Sequence, residues 1–296
     1  MKTVFIINPK SGKKLGGSNV KFLINKHFPE AEILFTEYKG HASELAAKAA
    51  AEGAEKVIIA GGDGTINEAV QSLAGTQTAL GVIALGSGNG LARELGCPLG
   101  ALEEKVRALK NFSVKTYDLG RANGEYFINL AGVGIEADIA LKFDALGASG
   151  KRGKWPYFKI GAQSFFKYKA PSLKVKTDAG EYLFKAISLV FANGRQYGSN
   201  FIIAPAASFS DGFLDMTVIK KTNVFKLLLA LPSFFFPSCK IVSITDTYKI
   251  RSAKIELEGV FAYHIDGEPK TAKDIIEIEI CPGKLKVLSG DAGNKA

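Results

Sequence analysis

The chain has few cysteines and no pairing pattern among them. Cys97, Cys239 and Cys281 are odd in number, far apart and without a C-x-x-C spacing, which supports neither a disulfide framework nor a zinc site and points to a reducing, cytoplasmic setting. No apolar run approaches the roughly 20 residues that span a bilayer. The nearest, residues 227–236, is interrupted by Pro232-Ser233. The apolar start at residues 4–7 stops at Asn8-Pro9, too short for a signal-peptide core and suited to a buried first strand. There is no fixed-period repeat and no low-complexity tract. A G-x-x-x-x-G-K-[ST] motif is also missing, which excludes ordinary P-loop nucleoside triphosphatases.

What the chain does have is length and a basic excess. Its 296 residues suit two modest domains. Hydrophobic residues make up 47% and charged residues 23%, the balance of a globular chain. A net charge of +9 fits an acidic partner, whether nucleotide phosphate, anionic membrane or nucleic acid. It is equally an ordinary value for a basic cytosolic protein.

Residues 1–120 alternate strand and helix. Strands are expected at 3–8, 31–36, 56–60 and 79–85, and helices at 20–28, 41–52, 66–73, 91–95 and 101–109. That rhythm means βαβ units and a doubly wound, Rossmann-like parallel sheet. From about Tyr117 the pattern changes. Segments rich in Val, Ile, Tyr and Phe recur at 126–130, 173–177, 182–192, 214–219, 241–248, 254–257, 261–265 and 275–280. Their alternation is that of half-buried antiparallel strands, so residues 121–284 read as a β-sandwich or barrel. Helices are expected within it at 137–146 and 157–168. A last strand at 285–288 is free to return to the first domain and take 285–296 with it.

Ligands of an open parallel sheet bind beyond the carboxyl ends of its strands. Three loops there have the residues for phosphate work: Asn8-Pro9-Lys10-Ser11-Gly12 after the first strand, Gly61-Gly62-Asp63-Gly64-Thr65-Ile66-Asn67-Glu68 after the third, and Gly86-Ser87-Gly88-Asn89-Gly90 after the fourth. Glycine lets backbone N–H groups approach a polyphosphate closely, and a following helix N-terminus adds positive charge. A carboxylate inside such a loop repels phosphate unless a divalent cation lies between them, so Asp63 is a candidate to organise Mg²⁺ or move a proton. Asp63-Gly64 is also a hairpin signal, but the helical spacing of residues 66–73 argues for a strand-to-helix turn.

These loops resemble those of the diacylglycerol kinase catalytic-domain family, which includes bacterial lipid kinases and sphingosine kinases. The resemblance continues through Asn193-Gly194, Ala204-Pro205, Asp211-Gly212-Phe213-Leu214-Asp215 and Asp266-Gly267-Glu268-Pro269 and covers nearly the whole chain. It implies a nucleotide-binding domain like that of NAD kinases and phosphofructokinases, a second β-sandwich domain, and ATP with Mg²⁺ between them. By position, Asn8, Pro9, Ser11, Gly12, Thr36, Gly61, Gly62, Asp63, Gly64, Thr65, Asn67, Glu68, Gly86, Ser87 and Asn89 line the ATP site. Glu268 is the general base on an acceptor hydroxyl, and Asp63 and Asp266 organise the metal and active site. Ser208, Asp211 and Phe213 match a second, structural metal site held partly by backbone carbonyls. One departure stands out: many bacterial members carry Asn-Asp in the third loop, where this chain has Asn89-Gly90. The G-S-G-N form is closer to sphingosine kinases. Asp266-Gly267 also reads as a hairpin turn that presents Glu268.

Residues 142–176 hold nine basic side chains against one acid, Asp144, with Trp155, Tyr157, Phe158 and other aromatics interleaved. This mixture suits a lipid or membrane surface, single-stranded nucleic acid, or a solvated helix face over a core. Residues 227–236 are a second candidate lipid-facing surface or else a core segment, and Asp138 lies where sphingosine kinases help recognise the acceptor. The expectation is a cytoplasmic lipid kinase, peripheral at the inner membrane face, that binds no nucleic acid and is compatible with a homodimer. An NAD kinase-like enzyme and a catalytically weak nucleotide- or lipid-binding protein are the competing readings.

Overall fold

In the computed structural model, strand β1 (Thr3–Ile7) buries Val4, Phe5, Ile6 and Ile7 completely. A strand apolar on both faces requires a parallel sheet covered on both sides. The structure describes residues 2–12, 17–86, 88–148, 168, 170–198, 200–238 and 242–290. The chain divides into two compact units, one running to Leu119 and resumed from Cys281, the other Gly120–Ile280.

In the first unit β1 lies between β2 (Glu32–Phe35) and β3 (Lys56–Gly61), and β3 is followed by β4 (Ala79–Ala84), all parallel. Helices α1 (Gly17–His27), α2 (His41–Ala51) and α3 (Asp63–Leu73) connect them, with α4 (Gly90–Glu94) and α5 (Leu102–Ala108) following β4. Val20 and Ile24 of α1 and Leu102 and Val106 of α5 form one core with Phe5, Ile7, Ile58 and Ile83. Helix α2 packs on α3, and its buried stripe of Ala42, Ala46 and Ala49 allows close approach. The last turns of β15 (Glu268–Ser289) return to this unit, where Val287 pairs in parallel with Leu80.

The second unit is antiparallel. Its strands are β6 (Glu125–Phe127), β7 (Leu130–Gly134), β8 (Ser172–Thr177), β9 (Gly180–Ala192), β12 (Leu214–Lys220), β13 (Thr245–Ile250), β14 (Ser252–Ile265) and the start of β15, with a small pair β10 (Gln196–Gly198) and β11 (Phe201–Ile202). Strand β5 (Ser113–Ala122) leads in, α6 (Ile135–Ala148) follows β7, and α7 (Val224–Phe235) follows β12. Strands β7 and β8 both bridge β9 to β14, so the sheet folds over itself around Phe127, Phe191, Met216, Ile255, Ile265 and Ile278.

Several expected segments merge or split. The stretches at 254–257 and 261–265 are one strand, β14, whose register shift between Glu256 and Val260 lets its halves serve β8 and β7 separately. Those at 275–280 and 285–288 are both parts of β15. Residues 126–130, expected as one strand, break between β6 and β7. The helix expected at 157–168 lies outside the described residues apart from Tyr168. No described helix is long and apolar enough to cross a membrane.

Candidate active site

The three glycine loops meet at the carboxyl end of the first unit's sheet. Asn8 closes its own loop: its Oδ1 accepts the Lys10 N–H at 3.0 Å and its carbonyl accepts the Ser11 N–H at 3.1 Å. Gly12 leaves that turn with φ 66°. The Asn8 Nδ2 donates to Thr65 Oγ1 at 2.9 Å, tying the first loop to the buried first turn of α3. The second and third loops come close at their glycines: a Cβ on Gly86 would lie 3.0 Å from Gly62 Cα and 3.0 Å from Asn89 Oδ1. Asn89 adopts the left-handed conformation, φ 51°, as the residue before α4, and its Nδ2 returns to the Gly86 carbonyl at 2.8 Å.

Asp63 is the first residue of α3, and Gly64 follows it in the same turn. Its Oδ2 accepts the Asn89 N–H at 3.0 Å, and Gly90 N–H also donates to the carboxylate. Burial nevertheless dominates and holds the carboxyl above its usual range, against the lowering effect of these backbone donors. Oδ1 is buried and accepts no hydrogen bond. An orphaned carboxylate oxygen among glycines is the donor that a Mg²⁺ ion shared with phosphates needs, since Mg²⁺ commonly takes only one or two protein carboxylates. Gly90 supplies an amide where a second carboxylate was absent in the sequence.

The remaining predicted nucleotide residues divide by role. Thr36 is buried just beyond β2, with its N–H on the Ile7 carbonyl at 2.9 Å. Asn67 is buried in α3 and accepts from Gln71 Nε2 at 3.2 Å. The Glu68 carboxylate turns to the N-terminus of α2, accepting the Ala42 N–H at 3.3 Å, which suits helix capping. Pro9 lies at the wall of a surface pocket with Lys21 and Phe35. Ser87 lies outside the described residues. The sequence reading missed Lys105: its buried ammonium donates to the Ala84 carbonyl at 2.7 Å, at the root of the third loop. A lone lysine on a helix carries no sequence mark of that use.

In the second unit, Asp266 (φ 47°) and Gly267 (φ 85°) form the two-residue turn between β14 and β15, with Ile265 opposite Glu268. Asp266 does more than turn the chain. Its carboxylate accepts the N–H groups of Ile128, Asn129 and Leu130, each at 2.9 Å. That grip causes the break between β6 and β7. Asn193 and Gly194 donate their N–H groups to the Asn129 carbonyl at 2.8 Å each, so the Asn193-Gly194 and Asp266-Gly267 motifs, far apart in sequence, close on one loop. Glu268, half-buried, is the first residue of β15.

The same unit encloses an acid and an imidazole that the sequence did not single out. Ser188 Oγ donates to Glu136 Oε1 at 2.7 Å, and Tyr197 OH lies 3.4 Å from His264 Nε2. A Cβ on Gly132 would meet His264 Nε2 at 2.6 Å and Glu136 Oε1 at 2.8 Å, so both side chains crowd one glycine. Burial raises the Glu136 carboxyl to about 7, despite the Ser188 hydroxyl. Burial also lowers His264 to about 4. Asp138 pairs with Lys142, and Lys174 and Lys176 both pair with Glu256. Most of the basic stretch between them lies outside the described residues.

The second metal site fits less well. Asp211 Oδ1 accepts the Phe213 N–H at 3.1 Å and Oδ2 binds Lys249 Nζ at 2.6 Å. Ser208 Oγ accepts the Ser210 N–H at 3.4 Å. Lys249 also reaches Asp215 at 3.2 Å, so an ammonium already neutralises these carboxylates. Among the described residues no group of three or more His, Cys, Asp or Glu is arranged to hold a metal. A cation bound by Asp211 would have to displace Lys249.

Both units match described protein families. Residues 2–122 match the diacylglycerol kinase catalytic domain, and residues 129–289 match the YegS C-terminal NAD kinase beta sandwich-like domain. A diacylglycerol kinase of Mycobacterium tuberculosis is 31% identical over 261 residues, covering 83% of this chain and 81% of that protein. A Yersinia enterocolitica protein named "Probable lipid kinase YegS-like" is 29% identical across 96% of this chain and 95% of its own. The crystal structure of a diacylglycerol kinase from Bacillus anthracis shares the fold, with a TM-score of 0.73 at 22% identity over 98% of this chain and 97% of that one. The chain belongs to the diacylglycerol kinase and YegS-like family of lipid kinases.

Two outcomes follow from these contacts. Replacing Asp266 with Ala strands three backbone N–H groups and should lower unfolding free energy by about 2–4 kcal/mol in urea titrations, with Asp266→Asn retaining part of the loss. The buried pair predicts opposed pH effects. Glu136, raised in the fold, contributes stability that is full below about 4.5 and is lost as pH rises through about 7. His264, lowered in the fold, contributes stability present above 6.5 and lost as pH falls through about 4. Glu136→Gln therefore gains on the parent chain between pH 5 and pH 8, by up to about 3 kcal/mol, read by urea titration at each pH.

Proposed function

We propose that the chain transfers the γ-phosphoryl group of ATP to the hydroxyl of a diacylglycerol-like or sphingoid lipid. The observation that carries this reading is the Asp63 carboxylate, pinned on one oxygen by the third loop's amides and left unpartnered on the other. Phosphoryl transfer depends mainly on positioning and charge stabilisation. The amides of the second and third glycine loops that Asp63 does not engage bind and orient the phosphates, and the Asn8–Thr65 contact fixes the spacing of the first and second loops. Asp63 would hold Mg²⁺, which when bound would supply positive charge at the phosphates. Lys105 and Glu68 act at one remove, by holding the third loop's root and the start of α2.

A lipid hydroxyl has a high pKa, so its proton needs an acceptor. Glu268 takes that role, with Asp266 as the positioning residue that fixes its turn. The acceptor is dissolved in a membrane, so the chain works as a peripheral protein on the cytoplasmic side, where ATP is available.

Turnover of ATP should be measured against a panel of dioleoylglycerol, sphingosine and NAD. One of the two lipids should be phosphorylated. Glu268→Gln should reduce kcat by about 10²–10⁴-fold with ATP affinity retained, and Asp63→Asn should abolish Mg²⁺-dependent turnover while the chain stays folded. Phosphorylation of NAD in place of either lipid would overturn the assignment. ATP binding without any turnover would leave a nucleotide-binding protein.

A further inference from the structure

Helix α7 (Val224–Phe235) is apolar apart from Lys226 and Ser233. Ala230 and Phe234 face the second unit and are buried, and Phe201 of β11 stacks on Phe234 with ring centroids 5.0 Å apart. The outward side carries Phe225, Leu228 and Leu229 at helical spacing, and Phe236 follows directly after the helix end. These are 79%, 56%, 48% and 69% exposed, and Phe235 beside them is 44% exposed. A helix with a packed apolar face normally turns a polar one to water. A contiguous apolar stripe in that position marks an interaction surface.

The charge around the stripe indicates its partner. Residues 216–245 contain no Asp or Glu, while Lys220, Lys221 and Lys226 flank or begin the helix. Lys220 pairs with Asp246 at 2.7 Å, whereas Lys221 and Lys226 are exposed. Apolar rings bordered by the exposed Lys221 and Lys226, with the nearby Asp246 carboxylate already paired to Lys220, match the boundary of an anionic bilayer. The helix has 12 residues, well short of the roughly 20 that span a membrane, so it suits lying in the interface plane. It is also formed in advance: Asn223 Oδ1 caps its first turn, accepting the Lys226 N–H at 2.9 Å.

We propose that α7 is the membrane-docking element. Phe225, Leu228, Leu229 and Phe236 enter the acyl boundary of an anionic bilayer, and Lys221 and Lys226 meet its headgroups. The inference rests on the lipid-kinase reading for its purpose, yet its test needs no turnover.

The full chain should be sedimented with vesicles of phosphatidylcholine alone and of phosphatidylcholine mixed with phosphatidylglycerol. The parent chain should bind the mixed vesicles. Phe225→Ser combined with Phe236→Ser should weaken that binding by about tenfold or more, with the melting temperature unchanged because both side chains are exposed. Lys221→Glu combined with Lys226→Glu should weaken it by a similar factor on mixed vesicles alone. Parent chain that stays in the supernatant overturns the proposal, as do double variants that bind like the parent. So does a parent dimer that the Phe225→Ser and Phe236→Ser changes dissociate without altering vesicle binding, since the stripe would then cover a second copy. Vesicle binding through α7 with no lipid phosphorylated defeats the functional reading and leaves this inference standing.

Discussion

The first unit's site depends on one carboxylate held in an uncomfortable place. Asp63 is half-buried at a helix start with its Oδ1 enclosed, where the amide dipoles favour a negative charge and desolvation opposes it. The Asn89 and Gly90 amides satisfy one oxygen, and doing so draws the third loop against the second until Gly86 and Gly62 touch. A Cβ on Gly86 would stand 3.0 Å from the Gly62 Cα, so a larger residue there forces the loops apart. The glycines and the acid are therefore one device: the acid sets how close the loops come, and the glycines permit it.

The second unit uses a carboxylate in the opposite way. Asp266 accepts three backbone amides, fixing the loop that Asn193 and Gly194 grip from the other side. It is well suited to keep its neighbour Glu268 at a fixed point on the hairpin.

Much of this was legible in the chain itself. The parallel alternation in the first 110 residues and the antiparallel character after it are set by apolar periodicity, which is local. The glycine loops were legible because close approach of backbones admits few other residues. Strand lengths in the second unit were harder to read. The irregularity in β14 and the polar turn of residues 281–284 look like ends in sequence, while ladder pairing carries both strands through. Asp266 showed its turn role but not its three amide partners, which lie about 137 residues away. Glu136, Ser188 and His264 gave no signal at all, since each is ordinary in its own segment and becomes unusual only when the sheet brings them to Gly132. Glu68 is the reverse case, a motif position whose side chain faces a neighbouring helix.

The return of β15 to the first unit bears on how the chain is made. Strand β4 waits for its outer neighbour until the end of the sequence is available: Lys286 Nζ reaches Gln77 Oε1 across 209 residues. At translation rates of about 5–20 residues per second, that separation keeps the β4 edge open for roughly ten to forty seconds. During that time the emerging nucleotide-binding unit presents an unpaired, apolar strand edge, the geometry that invites wrong pairing with another chain. Synthesis of the whole second unit thus falls inside the folding of the first, and a nascent chain stalled anywhere within it exposes a surface suited to chaperone capture.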